Sequence, residues 1–456
     1  GLRLESIDRL KYAKEITFRV KEAYHMSKEK LAFYGGEPVR DEPIPPSRRG
    51  YGWQFIGDEE KKYVLEALDD KLAGSPRGPR VRSFEREFAK IIGTKYVLAC
   101  VNGCVSELII MSAAGIGPGD EVIVPAYTWW APAQTTVAAN AVPVIAEVDD
   151  TLNLDPSDFE AKITKRTKAV WVVDMVGVQA RMDEIMEIAE KHSVLVFEDV
   201  AQCVGGSYKG RRLGSIGKAG SFSLQHSKVI QAGEGGAITT NDDDLVKRML
   251  MYHDPSYVDI YRLGLYQLEE GEIPITGING RMNELVAALA LAQLSKMDMI
   301  LQKARENKQR VMKGIGDLGL DFRHVPDPEG EAALNVTFFM RNAGKAQEFA
   351  KSLQAENVDS WVYYVPGKTT RDLHIYSCWD TIIHKKTISA TGCPYTCPFY
   401  VRAGGKEGGP KYTKDMCPKT LDLLSRAVQV PLGPLLTEKD NESIVEAIRK
   451  VAKVLI

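Results

Sequence analysis

The chain has 456 residues, of which 44% are hydrophobic, so it can bury a large core, and its length alone predicts two or three domains. Its 59 basic and 61 acidic residues leave a net charge of −2, which gives no general attraction for nucleic acid or an anionic membrane surface. No apolar run approaches the roughly 20 residues of a membrane-spanning helix, and the charged stretch 1–30 lacks the apolar core of a signal peptide. We expect a soluble, cytoplasmic protein that binds small molecules or copies of itself.

The first part of the chain reads as an arm followed by a large α/β domain. The stretch 1–30 is charged and helix-permissive, and the prolines at 43–46 break the pattern, so we expect an N-terminal arm and linker over 1–48. Short β-branched runs then alternate with helical patterns, which indicates a mostly parallel sheet wrapped by helices. The predicted strands are 97–100, 121–124, 142–148, 169–174, 194–197 and 237–240, with one covering helix over 182–191.

The later part of the chain predicts a smaller domain. A long helical stretch over 283–309 changes from Ala-Leu-rich to Lys-Arg-rich residues, as a helix does on leaving a core. A last helix opens at Thr437 with a capping-box variant that ends on Asp440. We therefore expect a large domain over 49–305 and a small α+β domain over 306–456.

The seven cysteines favour reduced thiols, because the number is odd and they are spread along a long chain. Cys393 and Cys397 form one close pair, with Cys378 and Cys417 lying apart from it. A structural zinc site usually has two close pairs, so we expect ordinary thiols and no metal.

Three candidate ligand-binding positions follow predicted strands, where open parallel sheets bind ligands. Asp199 is suited to pairing with a protonated ring nitrogen, although a helix cap or turn aspartate is an equally good interpretation. The turn at Gly103 and Cys104 precedes a helical run and offers N–H groups to a phosphate. Trp129 can stack on a flat cofactor, although paired tryptophans more often pack in a core or an interface.

Lys228 is the candidate nucleophile. It follows the segment Ser221–Ser227 and stands shortly before the glycine-rich run Gly233–Gly236, so a primary amine lies next to an anion-binding turn. This combination indicates a Schiff-base enzyme, while the alternative is a solvated lysine in a turn. A nucleotide-dependent dehydrogenase is disfavoured because no GxGxxG fingerprint follows the first strand.

Taken in order, these motifs resemble the DegT/DnrJ/EryC1/StrS family of pyridoxal-phosphate-dependent sugar aminotransferases. The resemblance begins near Leu31 and covers most of the chain. It implies an α/β fold of fold type I, like aspartate aminotransferase, with a large sheet domain sandwiched by helices and a smaller C-terminal α+β domain. The stretches that carry it are 115–125, 182–183, 198–199, 214–215, 221–228, 233–236, 277–282 and 430–434.

The resemblance also implies roles for individual residues around pyridoxal phosphate. Lys228 corresponds to the lysine that forms the Schiff base and shuttles protons. Asp199 corresponds to the partner of the pyridinium nitrogen, and Gln202 to the residue that hydrogen-bonds the phenolic oxygen. Trp129 corresponds to the aromatic residue that stacks on the ring.

The implied phosphate site is shared between two subunits. Ser223 and the backbone around Gly103 and Cys104 correspond to its near side, and Asn279 corresponds to a residue contributed by the neighbouring subunit of a homodimer. Position 104 departs from the family, which usually has Thr there, so a hydroxyl contact is lost that backbone N–H groups can replace.

The implied reaction is a ping-pong transamination. Glutamate or glutamine donates the amino group, and the acceptor is a keto-sugar, a sugar aldehyde or a keto-cyclitol. The pair Tyr363–Tyr364 stands near where many members carry a substrate-contacting histidine, and the segment 370–418 is longer than usual, so both bear on the acceptor. The alternatives are a dehydratase of the same family, in which a histidine replaces the lysine and for which His226 would matter, and a non-catalytic regulator that binds the cofactor.

Overall fold

A computed structural model describes residues 30–72, 78–254, 275–368 and 372–456. Most of the predicted N-terminal arm, residues 1–29, lies outside the described residues. Two sheets organise the described part, one of seven strands and one of four, with an additional two-stranded ribbon. The strands are, in chain order, β1 Tyr96–Cys100, β2 Glu121–Pro125, β3 Val142–Ala146, β4 Thr167–Val173, β5 Leu195–Asp199, β6 Ser207–Tyr208, β7 Arg211–Arg212, β8 Ala219–Ser223, β9 Gly236–Thr240, β10 Asp321–Phe322, β11 Asn335–Phe339, β12 Trp361–Val362 and β13 Ala427–Pro431.

Helices cover both sheets. In chain order the described α-helices are α1 Pro46–Arg49, α2 Asp58–Asp69, α3 Pro79–Ile92, α4 Gly103–Ala113, α5 Ala131–Ala138, α6 Pro156–Lys162, α7 Met182–His192, α8 Asp243–His253, α9 Glu284–Leu294, α10 Met297–Ile315, α11 Ala343–Ala355, α12 Asp380–Ile383, α13 Pro398–Arg402, α14 Pro418–Arg426 and α15 Glu438–Leu455. Short 3-10 turns lie at Ala32–Tyr34, Gly52–Phe55, Met175–Gly177 and Tyr376–Cys378.

The seven-stranded sheet confirms the predicted α/β class. Its order is β1-β9-β8-β5-β4-β2-β3. Strands β3, β2, β4, β5 and β8 are parallel to one another, and β9 is antiparallel to both β1 and β8. All six predicted strands are present, with ends shifted by one or two residues. Strand β8 was not predicted, because four of its five residues are Ala, Gly or Ser, which do not form the apolar, β-branched run expected of a buried strand.

The large sheet is buried on both faces, because successive side chains of a strand point to opposite sides. In β2, Val122 and Val124 belong to one apolar cluster while Ile123 belongs to the other. In β4, Trp171 packs with the first cluster and Val172 with the second. A sheet covered in this way is a rigid platform whose carboxyl edge is open to a ligand.

The predicted long helix over 283–309 is two helices, α9 and α10, so that expectation was wrong at one point. The helix ends at Leu294 and a new one begins at Met297. Ser295 turns its hydroxyl back onto the carbonyl of Ala292 at 2.8 Å, which competes with continued helical bonding. Lys296 is held by Glu60 through an ion pair of 2.5 Å, which fixes the bend against α2.

The four-stranded sheet has the order β10-β11-β13-β12 and packs against α10, α11 and α15. Its apolar cluster also takes in Leu31 and Ile44, so the part of the N-terminal segment that the structure describes is fastened to this sheet. The predicted capping box is present, because Thr437 accepts the N–H of Asp440 at 3.2 Å and Asp440 accepts the N–H of Thr437 at 2.9 Å.

The segment from residue 372 to 417 is not a free loop. Tyr376, Trp379 and Cys417 are fully buried in the same apolar cluster as one face of the large sheet. Tyr412 donates its hydroxyl to the carbonyl of Pro143 at 2.5 Å, and Tyr400 donates to Glu121 at 2.8 Å. These bonds attach the segment to β2 and β3 at one edge of the sheet.

Two features are absent from the described residues. None of the described helices is long and apolar enough to cross a bilayer. Within the same ranges, no three His, Cys, Asp or Glu side chains are grouped as metal ligands.

Candidate active site

A carboxylate, a hydroxyl and a helix N-terminus meet at one edge of the large sheet. Asp199 is the last residue of β5 and Ser223 is the last residue of β8, and these two strands run parallel side by side. Helix α4 begins beside them, because a Cβ atom built on Gly103 would lie 3.1 Å from the Cβ of Ser223. This is the carboxyl edge, where open α/β sheets bind their ligands.

The glycine-rich run allows the backbone to pass close to the start of α4. A Cβ atom on Gly236 would lie 2.5 Å from the carbonyl carbon of Asn102, so a side chain has no room there. Gly233 has a φ of 77°, in the left-handed region that favours glycine. Asn102 caps the helix by accepting the N–H of Val105 at 2.9 Å. The other N–H groups of the first turn, together with the helix dipole, make this end attractive to an anion.

Lys228 lies in the turn between β8 and β9. Its N–H donates to the carbonyl of Gln225 at 2.9 Å, and its carbonyl accepts the N–H of Gly52 at 3.2 Å, so the backbone is fixed. Burial lowers the pKa of the Lys228 amine, and the negative charge of Asp199 opposes that shift. Among the described residues, none forms a hydrogen bond or ion pair with the amine nitrogen. An unpaired amine with a lowered pKa is a suitable nucleophile.

Asp199 is almost fully buried, with 4% of its surface exposed. One of its oxygens accepts the N–H of Ala201 at 3.0 Å, which fixes the orientation of the carboxyl group. Burial raises the pKa of Asp199, while the Ala201 N–H and the Lys228 charge oppose the increase. A cation placed against its other oxygen would stabilise the ionised form.

A second buried carboxyl group, Glu107, lies close enough to Asp199 to interact with it electrostatically. Glu107 was not among the residues predicted from the sequence. Burial and the charge of Asp199 together raise the pKa of Glu107 well above its ordinary value. Its Oε2 atom accepts the Thr135 hydroxyl at 2.9 Å. The available sequence signal was a single Glu within the otherwise mostly apolar helix α4.

The lysine amine opens into a cavity of about 190 Å³. Gln202 lines this cavity, and its Oε1 atom accepts the N–H of Val176 at 3.1 Å, so the amide is oriented. Leu334, the residue before β11, also lines it. The complete lining is Tyr51, Ala201, Gln202, Ser227, Lys228, Val229, Leu334 and His374.

Trp129 and His374 form the rim of this cavity. Their ring centres are 5.0 Å apart and the planes are inclined by 59°, and 38% of the Trp129 surface remains exposed. The His374 ring forms a hydrogen bond with the Asp372 carboxyl group at 2.9 Å. Burial alone would raise the pKa of Asp372, but the hydrogen bonds from His374 outweigh burial and lower that pKa. A histidine of the longer segment, His374, thus lies at this cavity. Tyr363, from the predicted pair, is instead buried against Tyr127 with ring centres 5.3 Å apart.

Three other residues considered in the sequence analysis are Cys104, Asn279 and His226. Cys104 retains accessible surface, while desolvation by the surrounding protein and the charge of Glu107 raise the pKa of its thiol to about 12, so it stays neutral. Asn279 is exposed and does not line the cavity in this single chain. His226 is also exposed, and its ring bonds the neighbouring Gln225 at 2.6 Å instead of turning into the cavity.

The structure therefore brings most of the predicted residues together. At the carboxyl edge of the sheet it gathers Gly103, Cys104, Asp199, Gln202, Ser223 and Lys228, with Trp129 at the rim. Asn279 is the exception, and its predicted role requires a second subunit. The roles themselves remain predictions.

The fold and this edge site define a transaminase of fold type I, a class of pyridoxal-phosphate enzymes. The chain belongs to the DegT/DnrJ/EryC1/StrS aminotransferase family, whose family model matches residues 54–377. Both the expected family and the expected enzyme class are confirmed.

Named relatives agree with this assignment. The chain is 33% identical to the spore coat polysaccharide biosynthesis protein SpsC of Bacillus subtilis over 413 residues, which is 88% of this chain and 97% of that protein. It is 35% identical to L-glutamine:2-deoxy-scyllo-inosose aminotransferase of Streptomyces fradiae, covering 68% of this chain and 72% of the relative.

Solved structures give the same result. The aminotransferase from Psychrobacter cryohalolentis is similar with a TM-score of 0.70 and 27% identity, over 89% of this chain and 99% of that one. DesI, solved in the presence of its TDP-sugar product, is similar with a TM-score of 0.69 and 26% identity, over 93% and 96% of the two chains. Sugar and cyclitol aminotransferases among the relatives thus support pyridoxal-phosphate-dependent transamination.

Proposed function

We propose that this transaminase moves an amino group from glutamine or glutamate to the carbonyl carbon of a keto-sugar, a sugar aldehyde or a keto-cyclitol, with pyridoxal phosphate held by Lys228. The observation that carries the proposal is the half-buried, unpaired amine of Lys228, which lies within electrostatic reach of the buried carboxylate of Asp199. Such an amine and such a carboxylate suit the carbonyl carbon and the ring nitrogen of one small cofactor.

The residues present fit this cofactor in charge and in shape. The N-terminus of α4 and the Ser223 hydroxyl suit a phosphate, and Gly103 at the start of that helix carries no side chain that would cover its N–H groups. Asp199 has one oxygen bonded to Ala201 and the other available for a protonated ring nitrogen. The Nε2 of Gln202, which no described residue engages, suits a phenolic oxygen.

When bound, pyridoxal phosphate supplies a carbonyl carbon that condenses with amines and a ring that withdraws electrons from the substrate carbon. Lys228 holds the group and, when displaced by a substrate amine, moves a proton at the substrate's α-carbon. The lowered pKa of Lys228 favours the neutral amine that a base requires. Asp199 would accept the ring N–H and so keep the ring nitrogen protonated, and Trp129 would cover the ring.

Glu107 contributes by staying neutral. Two carboxylates buried this close together do not both ionise readily, and the raised pKa of Glu107 leaves Asp199 as the negative charge of the pair. The ring nitrogen would then meet one ionised partner, Asp199, beside a neutral neighbour.

The relatives support the donor and acceptor classes without selecting one compound. Several are named as L-glutamine:2-deoxy-scyllo-inosose aminotransferases, which favours glutamine and a keto-cyclitol. Others are named GDP-perosamine synthase, from Caulobacter vibrioides, and DesI with a TDP-sugar product, which favours a nucleotide-linked keto-sugar. His374 and the segment around it form the wall most suited to distinguishing these acceptors.

The proposed working unit is a homodimer. Asn279 is exposed and Trp129 keeps 38% of its surface exposed beside the cavity, so the cavity mouth lies on an accessible face of the single chain. A second subunit on this face would complete the phosphate site with its own Asn279. The dehydratase alternative is not favoured, because His226 lies outside the cavity that Lys228 occupies.

The test is substitution of Lys228 by Ala. Wild-type protein purified with the cofactor should show the visible absorption band of a lysine-bound cofactor, and Lys228→Ala should lose both this band and turnover. His226→Ala is the matched control two residues away, and it should keep both. Normal turnover in Lys228→Ala would overturn the proposal.

The donor is tested separately, in a half-reaction without acceptor. Glutamine or glutamate added to the purified protein should bleach the visible band as the amino group is transferred. A band unchanged by every amino acid tried would instead favour the non-catalytic regulator. A panel of keto-sugars, sugar aldehydes and inososes, offered with the active donor, then identifies the acceptor.

A further inference from the structure

His374 presents an unengaged ring nitrogen at the lysine cavity. It lines this cavity together with Lys228 and Gln202, and 36% of its side chain is exposed. Its Nδ1 atom is bonded to Oδ1 of Asp372 at 2.9 Å. Among the described residues none bonds its Nε2 atom, and that atom is not one of the fully buried polar atoms that lack a partner. Nε2 therefore keeps accessible surface and can meet a ligand.

The backbone on both sides of His374 is fixed. Its N–H donates to the same Oδ1 atom of Asp372 at 2.9 Å, and its carbonyl accepts the N–H of Thr128 at 2.9 Å. The carbonyl of Leu373, one residue earlier, accepts the indole N–H of the buried Trp379 at 2.8 Å. With its backbone and its Nδ1 atom both held, the ring has a defined direction at the cavity wall.

The charge of Asp372 decides which ring nitrogen of His374 carries the hydrogen. Burial would raise the pKa of Asp372, but the hydrogen bonds from His374 outweigh it and lower that pKa, so the carboxylate is ionised at neutral pH. An ionised carboxylate can only accept hydrogen bonds, so the Nδ1 atom bears the hydrogen. In a neutral imidazole the other nitrogen, Nε2, is then an acceptor with a free lone pair.

The other side-chain oxygens of this cavity wall already have partners within the protein. Oε1 of Gln202 accepts a backbone N–H at 3.1 Å. The hydroxyls of Ser227 and Tyr51 donate to protein oxygens at 2.7 Å and 3.3 Å. Nε2 of His374 is thus the side-chain acceptor of this wall that no described residue engages.

The small size of the cavity brings its wall close to a reacting carbonyl group. Its volume of about 190 Å³ equals the share of roughly six water molecules at about 30 Å³ each. A carbonyl carbon that reacts beside Lys228 therefore lies within the width of a small molecule from His374. A hydroxyl group on the carbon next to that carbonyl is the donor suited to reach Nε2.

We propose that His374 orients the acceptor substrate, with its Nε2 atom accepting a hydrogen bond from a hydroxyl group on the carbon next to the substrate's carbonyl. Asp372 is the positioning residue that keeps the imidazole hydrogen on Nδ1. The inference rests on the proposed transamination and narrows its acceptor to α-hydroxy ketones and α-hydroxy aldehydes. A site that offers an acceptor to a substrate hydroxyl disfavours an analogue without that hydroxyl, because the acceptor is then left unpaired.

The test is a single-turnover reaction in which the donor first bleaches the visible band of the holoenzyme and a ketone then restores it. The probes are scyllo-inosose, which has a hydroxyl on both carbons beside its carbonyl, and cyclohexanone, which has the same ring without hydroxyls. The measured quantity is the ratio of the two rate constants, and wild type should favour scyllo-inosose by about tenfold or more. Differences in intrinsic reactivity between the two ketones cancel when this ratio is compared between protein variants.

Two variants of His374 and one control locate the effect. His374→Asn keeps an N–H near the position of Nδ1 but removes Nε2, so the ratio should fall about tenfold while bleaching by the donor is unchanged. His374→Gln places an amide near the position of Nε2 and should retain part of the preference. His226 is an exposed histidine outside the lysine cavity, so His226→Ala should keep the wild-type ratio.

Nitrogen-15 NMR of the histidine-labelled holoenzyme at neutral pH gives a second readout that does not depend on turnover. The resonances that disappear in His374→Asn should have the chemical shifts of the Nδ1–H form. Asp372→Ala should move them towards a mixture of the two forms, because the carboxylate that holds the hydrogen on Nδ1 is removed.

Four results would overturn the proposal. They are equal rates of wild type with the two ketones, no reaction with either ketone, a wild-type ratio in His374→Asn, and His374 resonances of the Nε2–H form. A wild-type protein whose visible band no amino acid bleaches fails earlier, at the donor step, and counts against the proposed transamination itself.

Discussion

Replacing Glu107 by Gln tests whether this buried carboxyl group is neutral in the folded protein. The substitution keeps the shape of the protonated acid and keeps an oxygen for the Thr135 hydroxyl, which Glu107 accepts at 2.9 Å. It removes only the ability to ionise. Because burial and Asp199 raise the pKa of Glu107, the folded wild-type chain holds a proton that the unfolded chain releases.

The direction and the size of the change in stability with pH follow from the proton that Glu107 holds only in the folded chain. An unfolded Glu titrates near pH 4.3, so wild-type stability is complete below that value and falls as the pH rises towards the folded-state pKa of Glu107. The loss is about 1.4 kcal/mol per pH unit across this window. With an unfolding entropy of roughly 2.1 cal/mol/K per residue, a chain of this length loses about 1 °C of melting temperature per kcal/mol of stability lost. The melting temperature of Glu107→Gln should therefore rise relative to wild type by about 1.5 °C for each pH unit.

The assay is a melting-temperature series on cofactor-free protein at half-unit steps from pH 5 upwards. Glu442→Gln is the matched control, because Glu442 is exposed on α15 and its solvation changes little on folding. The difference between Glu107→Gln and wild type should widen with pH and then level off. A difference that stays constant, or that narrows with pH, would refute a neutral Glu107.

Three other predictions concern single side chains. Asp199→Asn should retain bound cofactor but lower turnover by about 100-fold or more, measured by steady-state kinetics, because the ring nitrogen loses its ionised partner. Cys104→Thr should change turnover and cofactor affinity by no more than a few fold, measured by titration of the apoprotein, because backbone N–H groups of α4 remain. Thr437→Ala should cost about 1 kcal/mol of stability, seen as a melting temperature lower by about 1 °C, because α15 loses its cap.

The parts of the fold that sequence could predict are those with local signals. The strands of the large sheet are buried on both faces, so they stand out as short runs of Val, Ile and Ala between turns. The helix cap at Thr437 likewise depends on only four consecutive residues. Lys228 and Asp199 could be selected because their motifs occur in the same order as in one known family, although neither motif is decisive alone.

The parts that sequence did not predict depend on contacts between distant residues. Glu107 matters because α4 brings it near Asp199, which is far away in the chain. His374 reaches the cavity because its backbone carbonyl accepts the N–H of Thr128 at 2.9 Å, next to Trp129. The break between α9 and α10 depends on Glu60, which holds Lys296 from another helix. None of these partners can be read from a local window.

The attachment of the segment 372–417 limits how this enzyme can change its acceptor during evolution. Trp379 and Cys417 belong to the same buried cluster as the sheet, and Tyr412 is bonded to β3. Exchanging the whole segment for that of a relative would therefore remove part of the core along with part of the cavity wall. New acceptor preferences are more accessible through substitution of His374 itself, because it lines the cavity while its neighbours Ile375 and Tyr376 are buried in the core.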